Sequence, residues 1–121
     1  MTAKTVLLVD DSRVARMMTR KLIEHGRPGW TVVEADNGTD GVTRFKELRP
    51  DFVLMDVNMP GIDGVEAARQ IKEAAPDAVV SLLTANIQAP VRQRAEEIGV
   101  GFIAKPATED ALMAFLTAEV P

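Results

Sequence analysis

Five side chains in this 121-residue chain have the types and the placement for phosphate chemistry. They are Asp10 and Asp11 in Val9-Asp-Asp-Ser12, Asp56 ahead of Val57-Asn-Met-Pro-Gly61, Thr84 in Leu83-Thr-Ala85, and Lys105 before Pro106. Each stands where a short apolar run stops. Brought onto one rim, three carboxylates repel one another, so either one takes up a proton or a cation joins them. A hard divalent ion fits, because Mg²⁺ is commonly held by one or two carboxylates, further oxygens and water, with positions left for phosphate oxygens. With the aspartates ionised, Lys105 protonated and such an ion bound, the formal charges cancel and a phosphoryl group meets no net repulsion. Phosphoryl transfer asks a protein mainly for positioning and for neutralisation of the equatorial oxygens, which a metal, an ammonium and a hydroxyl supply. In that chemistry Asp56 is the nucleophile and an aspartyl phosphate is the product.

Taken one at a time, these residues have ordinary explanations. Asp-Asp-Ser before a helix is a common N-cap with a favourable dipole charge. Asp56 can open a turn, Thr84 can cap the next helix, and Lys105 can be a solvated lysine at a bend. Capping, however, explains neither carboxylates at two strand ends expected to be neighbours nor a lysine at the same rim.

The composition narrows the alternatives. Fourteen basic residues against eighteen acidic give a net charge of -4, a balance that argues against binding a phosphate backbone as the main task. With no cysteine and one histidine, disulfides, thiolate nucleophiles and clustered imidazole or thiolate metal sites are excluded. A hydrophobic fraction of 46% with 26% charged residues suits a packed core rather than a disordered segment, and the length suits one domain over residues 1–121. The longest uncharged stretch, Ala78 to Val91, is too short and too interrupted to span a bilayer. The N-terminus reaches Asp10 without the apolar segment of a signal peptide, so a cytoplasmic protein is expected.

The elements that must position these residues are legible as alternating periods. Short runs rich in Val, Leu and Ile cover Val6 to Val9, Thr31 to Ala35, Phe52 to Met55, Ala78 to Leu83 and Gly101 to Ala104. Four read as parallel strands covered on both faces; the second, with Glu34 inside it, reads as a less buried edge. Between them the apolar residues recur every three or four positions. Val14, Met18 and Leu22 are expected to form the buried stripe of a first helix capped by Ser12 and ended by Gly26. His25 falls in its last turn as a surface residue favoured by the dipole. Val42, Phe45 and Leu48 stripe a second helix after Asn37-Gly38; Val65, Ala68 and Ile71 a third; Val91, Ala95 and Ile98 a fourth with Pro90 in its first turn; Ala111, Leu112, Phe115 and Leu116 a fifth. Strict alternation of five strands and five helices implies an α/β, doubly wound parallel sheet with helices on both faces. Ligands of such sheets sit beyond the carboxyl ends of the strands, where the five side chains fall.

Four fragments in order, Val6-Leu-Leu-Val-Asp-Asp-Ser12, Val53-Leu-Met-Asp-Val-Asn-Met-Pro-Gly-Ile-Asp-Gly64, Leu83-Thr-Ala85 and Lys105-Pro106, give the whole chain a resemblance to a known family. It resembles the receiver domain of two-component response regulators, particularly the single-domain CheY-like proteins. The resemblance implies a flavodoxin-like five-stranded sheet in the order 2-1-3-4-5. It also implies a stand-alone phosphoacceptor switch rather than an enzyme acting on a separate substrate. In that reading Asp56 takes the phosphoryl group from a histidine kinase or histidine phosphotransfer protein in a Mg²⁺-dependent reaction and later loses it. Asp11, Asp56 and the main-chain carbonyl of Asn58 match direct Mg²⁺ ligands, with Asp10 holding the metal through water. Lys105 matches the phosphoryl-contacting lysine, ahead of a cis Lys105-Pro106 bond. Thr84 and Phe102 match the hydroxyl and the aromatic of the switch. The downstream protein would dock on the face of the fourth helix, fifth strand and fifth helix, which carries Arg92, Arg94 and Glu97, and the chain would be a monomer or a phosphorylation-dependent dimer.

Some residues depart from that pattern. Phe102 lacks the hydroxyl of the tyrosine common there, so its coupling must rest on packing. Val57 leaves no tryptophan beside Asp56, Trp30 lies far from the rim, and Asn58 and Asn86 flank the expected phosphoryl site. Three other classes remain open. An aspartyl-nucleophile phosphatase has a second carboxylate where Asn58 stands. A flavodoxin-like cofactor binder needs a non-acidic phosphate loop where Asp10 and Asp11 stand. A receiver-shaped interaction module would work without phosphorylation.

Overall fold

The computed structural model describes residues 3–85 and 89–117. Strands and helices alternate as β1 (Thr5–Val9), α1 (Arg13–Gly26), β2 (Thr31–Ala35), α2 (Gly38–Leu48), β3 (Phe52–Asp56), α3 (Gly64–Ala74), β4 (Val80–Thr84), α4 (Ala89–Ile98), β5 (Gly101–Ala104) and α5 (Glu109–Phe115). The strands form one parallel sheet in the order β2-β1-β3-β4-β5. The chain leaves β1 to one side for β2 and continues on the other side from β3, so a crevice opens beyond the carboxyl ends of β1 and β3.

Period-two alternation splits the core between the two faces of the sheet. Leu7, Val9, Val53, Met55 and Leu82 pack with Val42, Phe45, Ala68, Ile71 and Ala95 from α2, α3 and α4. Val6, Leu8, Phe52, Leu54 and Ile103 pack with Ile23 of α1 and Leu112 of α5. Close approach of α2 to β1 needs Gly41, where a Cβ would come within 2.9 Å of a Val9 methyl. Side-chain oxygens of Ser12, Asn37, Asp63 and Thr108 accept from helix-start N–H groups and cap α1, α2, α3 and α5. No helix among the described residues is long and apolar enough to cross a membrane.

At the start of β2, Trp30 stacks on Phe52 with ring centroids 5.7 Å apart. Phe52 meets Phe115 edge-on at 5.5 Å. The Arg27 guanidinium lies over Trp30, and its Nε donates to the Leu116 carbonyl at 2.8 Å, tying the end of α1 to the end of α5.

Several expectations need correction. The buried residues of α1 are Thr19 and Ile23, whereas Val14 is 61% and Met18 58% exposed, with Met17 beside them also exposed. The helix therefore presents a stripe one position round from the expected one. Leu48, the last residue of α2, is exposed. β5 is an edge strand on which Ile103 alone is buried. Ala78 lies outside β4 because its N–H closes a turn on the Ala75 carbonyl at 2.9 Å. Asp56 and Thr84 stand inside their strands rather than after them, since the ladders continue through Asp56↔Leu83 and Thr84↔Ala104.

Candidate functional site

The rim beyond β1, β3 and β4 brings the acidic residues together. Ligand oxygens of Asp10, Asp11 and Asp56 all lie within 4.8 Å of one another. Asp10 and Asp56 are buried and Asp11 is exposed. Lys105, just past β5, reaches back over the sheet: its Nζ donates to Asp10 Oδ2 at 2.8 Å and to Asp56 Oδ1 at 3.1 Å. The Lys105–Pro106 peptide is cis. Thr84 is fully buried at the end of β4, and its carbonyl accepts from the Lys105 N–H at 2.9 Å. Asn58 is exposed, two residues beyond Asp56; Asn86 lies outside the described residues.

Three carboxylates against one ammonium leave two negative charges in a partly desolvated crevice. The donors are all hard oxygens, so the set suits a divalent cation such as Mg²⁺ rather than a softer metal. The electrostatics already record the crowding. Burial pushes the Asp56 carboxyl above its ordinary range; the Lys105 hydrogen bond opposes this and the Asp10 charge reinforces it. Burial pulls the Lys105 ammonium down, but its hydrogen bonds to Asp10 and Asp56 outweigh that and leave its pKa raised.

A raised carboxyl pKa means that the folded chain holds the Asp56 proton more tightly than the unfolded chain. Stability from this group therefore falls as pH rises from the ordinary aspartate value to the raised one, and the penalty stays in full above it. Without divalent cations, Asp56→Asn is expected to raise the melting temperature at neutral pH by a few degrees. The gain should shrink as the pH is lowered through that window; melts at stepped pH in chelator check it, and a gain that grows on acidification would contradict it.

The loop carrying Asp10 and Asp11 is held from several sides. The Asp10 N–H donates to the Ala35 carbonyl at 3.1 Å, extending the β1–β2 ladder. Asp10 Oδ1 accepts from the Ser12 N–H at 2.9 Å. Arg16 Nη1 donates to the Asp10 carbonyl at 2.7 Å, while its Nε donates to Glu34 at 2.8 Å. Glu34 also accepts from Arg20 Nη1 at 2.6 Å. Sequence reasoning read Glu34 only as the mark of an edge strand. A carboxylate inside an apolar strand, with two arginines one helical turn apart on the preceding helix, was the available signal.

Phe102 is half-buried on β5, and the Arg92 guanidinium of α4 lies 5.3 Å from its ring centroid. His25 is exposed in the last turn of α1, as expected, but it has a partner the sequence did not suggest: its Nδ1 is 2.6 Å from Glu109 Oε1 at the start of α5.

Residues 6–117 match the family described as the response regulator receiver domain. The chain is 39% identical over 112 residues to the chemotaxis protein CheY of Halobacterium salinarum, covering 92% of each chain. It is 38% identical over 105 residues to CheY of Thermotoga maritima, covering 85% of this chain and 86% of that one. Among solved structures, Vibrio cholerae chemotaxis protein CheY4 superposes with a TM-score of 0.86 at 25% identity, over 95% of this chain and 97% of that one. A LuxR-family two-component response regulator from Aurantimonas gives 0.84 at 33% identity, over 92% and 80%.

Proposed function

The chain belongs to the response regulator receiver domain family, and from that membership we propose that it is a phosphoacceptor switch charged on Asp56. The observation that carries the reading is the Lys105 ammonium shared between buried Asp10 and Asp56 beside exposed Asp11. An Asp56 carboxylate oxygen attacks the phosphorus of a phosphohistidine on a histidine kinase or phosphotransfer protein. The new P–O bond forms as the P–N bond breaks, and the departing imidazole nitrogen keeps the bonding pair. Asp11, Asp56 and the Asn58 carbonyl would hold Mg²⁺, with Asp10 acting through water; when bound, the ion neutralises charge on the transferring phosphoryl oxygens. Lys105 neutralises a second oxygen and Thr84 supplies a hydroxyl.

The protein donor would approach beside α1. There an apolar cleft of about 300 Å³, lined in part by Ala15, Met18, Leu83, Lys105 and Pro106, opens next to the exposed Met17 and Met18. A donor docked there would lie within reach of the rim, because Lys105 lines this cleft and also bonds Asp10 and Asp56. The phosphoryl group makes the site more negative by about one charge, draws Thr84 toward it, and changes the room open to Phe102. With no phenolic hydroxyl, Phe102 couples through packing, and Arg92 over its ring belongs to the α4–β5–α5 face offered to a downstream protein.

Intact mass after incubation with acetyl phosphate and Mg²⁺ tests the reading. One added phosphoryl group is expected, absent in Asp56→Asn and absent in chelator. No gain by a folded, Mg²⁺-binding chain would replace it with the reading as an interaction module that works without phosphorylation.

A further inference from the structure

We propose that Arg16, aimed by Glu34, is a positioning residue that sets the divalent-cation affinity of the rim by clamping the peptide between Asp10 and Asp11. The inference rests on the cation reading of the site and adds to it a residue of α1 that touches neither metal nor phosphate.

The Asp10 carbonyl is half of the peptide unit that leads into Asp11. Its orientation fixes the last backbone dihedral of Asp10 and the first of Asp11, and with them the direction in which the exposed Asp11 carboxylate leaves the loop. Arg16 holds that carbonyl at 2.7 Å from outside the loop. The guanidinium is itself pinned by Nε to Glu34 on the edge strand β2, and its side chain is only 16% exposed. Glu34 is anchored a second time by Arg20; that hydrogen bond first, and then the one from Arg16, hold its carboxyl below its ordinary range against the opposing effect of burial. The clamp therefore stays charged at neutral pH. It spans α1, β2 and the β1–α1 loop, and it adds to the Asp10–Ala35 ladder bond and the Asp10–Ser12 turn that also hold the loop.

The sign of the effect separates this role from simple electrostatics. A guanidinium near a cation site repels the cation, so electrostatics alone predicts that Arg16→Gln tightens Mg²⁺ binding and that Arg16→Lys leaves it unchanged. A clamp predicts the reverse. Neither glutamine nor lysine reproduces the fork that bonds Glu34 and the Asp10 carbonyl at once, so both variants should weaken Mg²⁺ about tenfold, the lower end of the loss typical when a group orienting a metal ligand is removed.

The test is an Mg²⁺ titration of wild type, Arg16→Lys and Arg16→Gln, followed by the amide resonances of Asp10 to Ser12. It is run where circular dichroism shows each chain folded, with melting temperatures recorded alongside. Weakened binding in both variants is expected; an unchanged lysine variant or a tighter glutamine variant would overturn the clamp. Should neither variant fold, the wild-type Arg16 Nε–H carries the test. It is expected to exchange slowly with solvent and to shift with the same midpoint as the loop amides, and a fast-exchanging or unresponsive Nε–H would overturn it. A wild type that binds no Mg²⁺ refutes the cation reading itself, whereas one that binds beside variants that bind equally refutes only the role of Arg16.

Discussion

Lys105→Met is expected to slow phosphoryl uptake on Asp56 by about 10²–10³-fold, the usual cost of deleting one preorganised group from the charge-stabilising set of a transfer site. The same change should alter stability and metal affinity in opposite directions. Asp10 and Asp56 are buried and share this single ammonium at 2.8 and 3.1 Å. Removing one partner of a buried pair typically costs about 3–5 kcal/mol; because Lys105 is itself a quarter exposed, about 2–4 kcal/mol is the fitting range. The cluster left behind carries one more uncompensated negative charge, so Mg²⁺ should bind the variant more tightly than wild type. Binding to the folded state restores stability by mass action. Melts in chelator and in excess Mg²⁺, with phosphorylation rates measured at saturating metal, check all three effects. A variant that takes up phosphate at the wild-type rate would remove Lys105 from the transfer step.

Gly64→Ala, at the first residue of α3, is expected to be the most damaging small substitution next to the loop after β3. A Cβ at Gly64 would fall inside the contact radius of the Asp56 carbonyl oxygen, with the Asp56 carbonyl carbon at 2.7 Å and the Val57 Cα at 2.9 Å. All three are backbone atoms at the strand end that carries Asp56, so no rotamer change relieves the clash. The Gly64 N–H also donates to the Val57 carbonyl at 2.9 Å, so the loop cannot swing away without losing that bond. Overpacking usually costs about 1–3 kcal/mol, and a rigid neighbour puts this case at or above about 3 kcal/mol. Gly26→Ala is the control, since there the added methyl meets mainly the flexible end of Met113. Denaturant melts should show a large loss for the first and a small one for the second; equal effects would refute the backbone-contact argument.

The alternating periods locate every strand to within two residues and set a helix after each, because parallel strands covered on both faces and amphipathic helices write different repeats. The failures are specific. On α1, Thr19 interrupts the true Ala15-Thr19-Ile23 stripe, and the more apolar Val14-Met18-Leu22 series outweighs it by composition alone. On β5, an apolar run cannot reveal that one side of the strand lacks a neighbour. The carboxylates, Thr84 and Lys105 were legible because each is a polar residue at the end of an apolar run. Arg16 and Glu34 were not, since their meeting depends on α1 packing beside β2, and Gly64 was not, since its need arises only when the loop closes onto Asp56.

The aromatic stack at the other end of the sheet has a practical consequence for all these measurements. Trp30 is the one tryptophan of the chain, and it sits at the amino end of β2, about 15 Å along the strand direction from the carboxyl-end rim. Its ring neighbours Phe52 and Arg27 lie at the same far end of the sheet. Fluorescence should stay level through a metal titration and change only when Arg27 releases Leu116 and α5 leaves the sheet. On that expectation Trp30 is an optical channel for unfolding blind to occupancy of the rim, through which ligand effects on stability would be read without correcting for ligand effects on the signal.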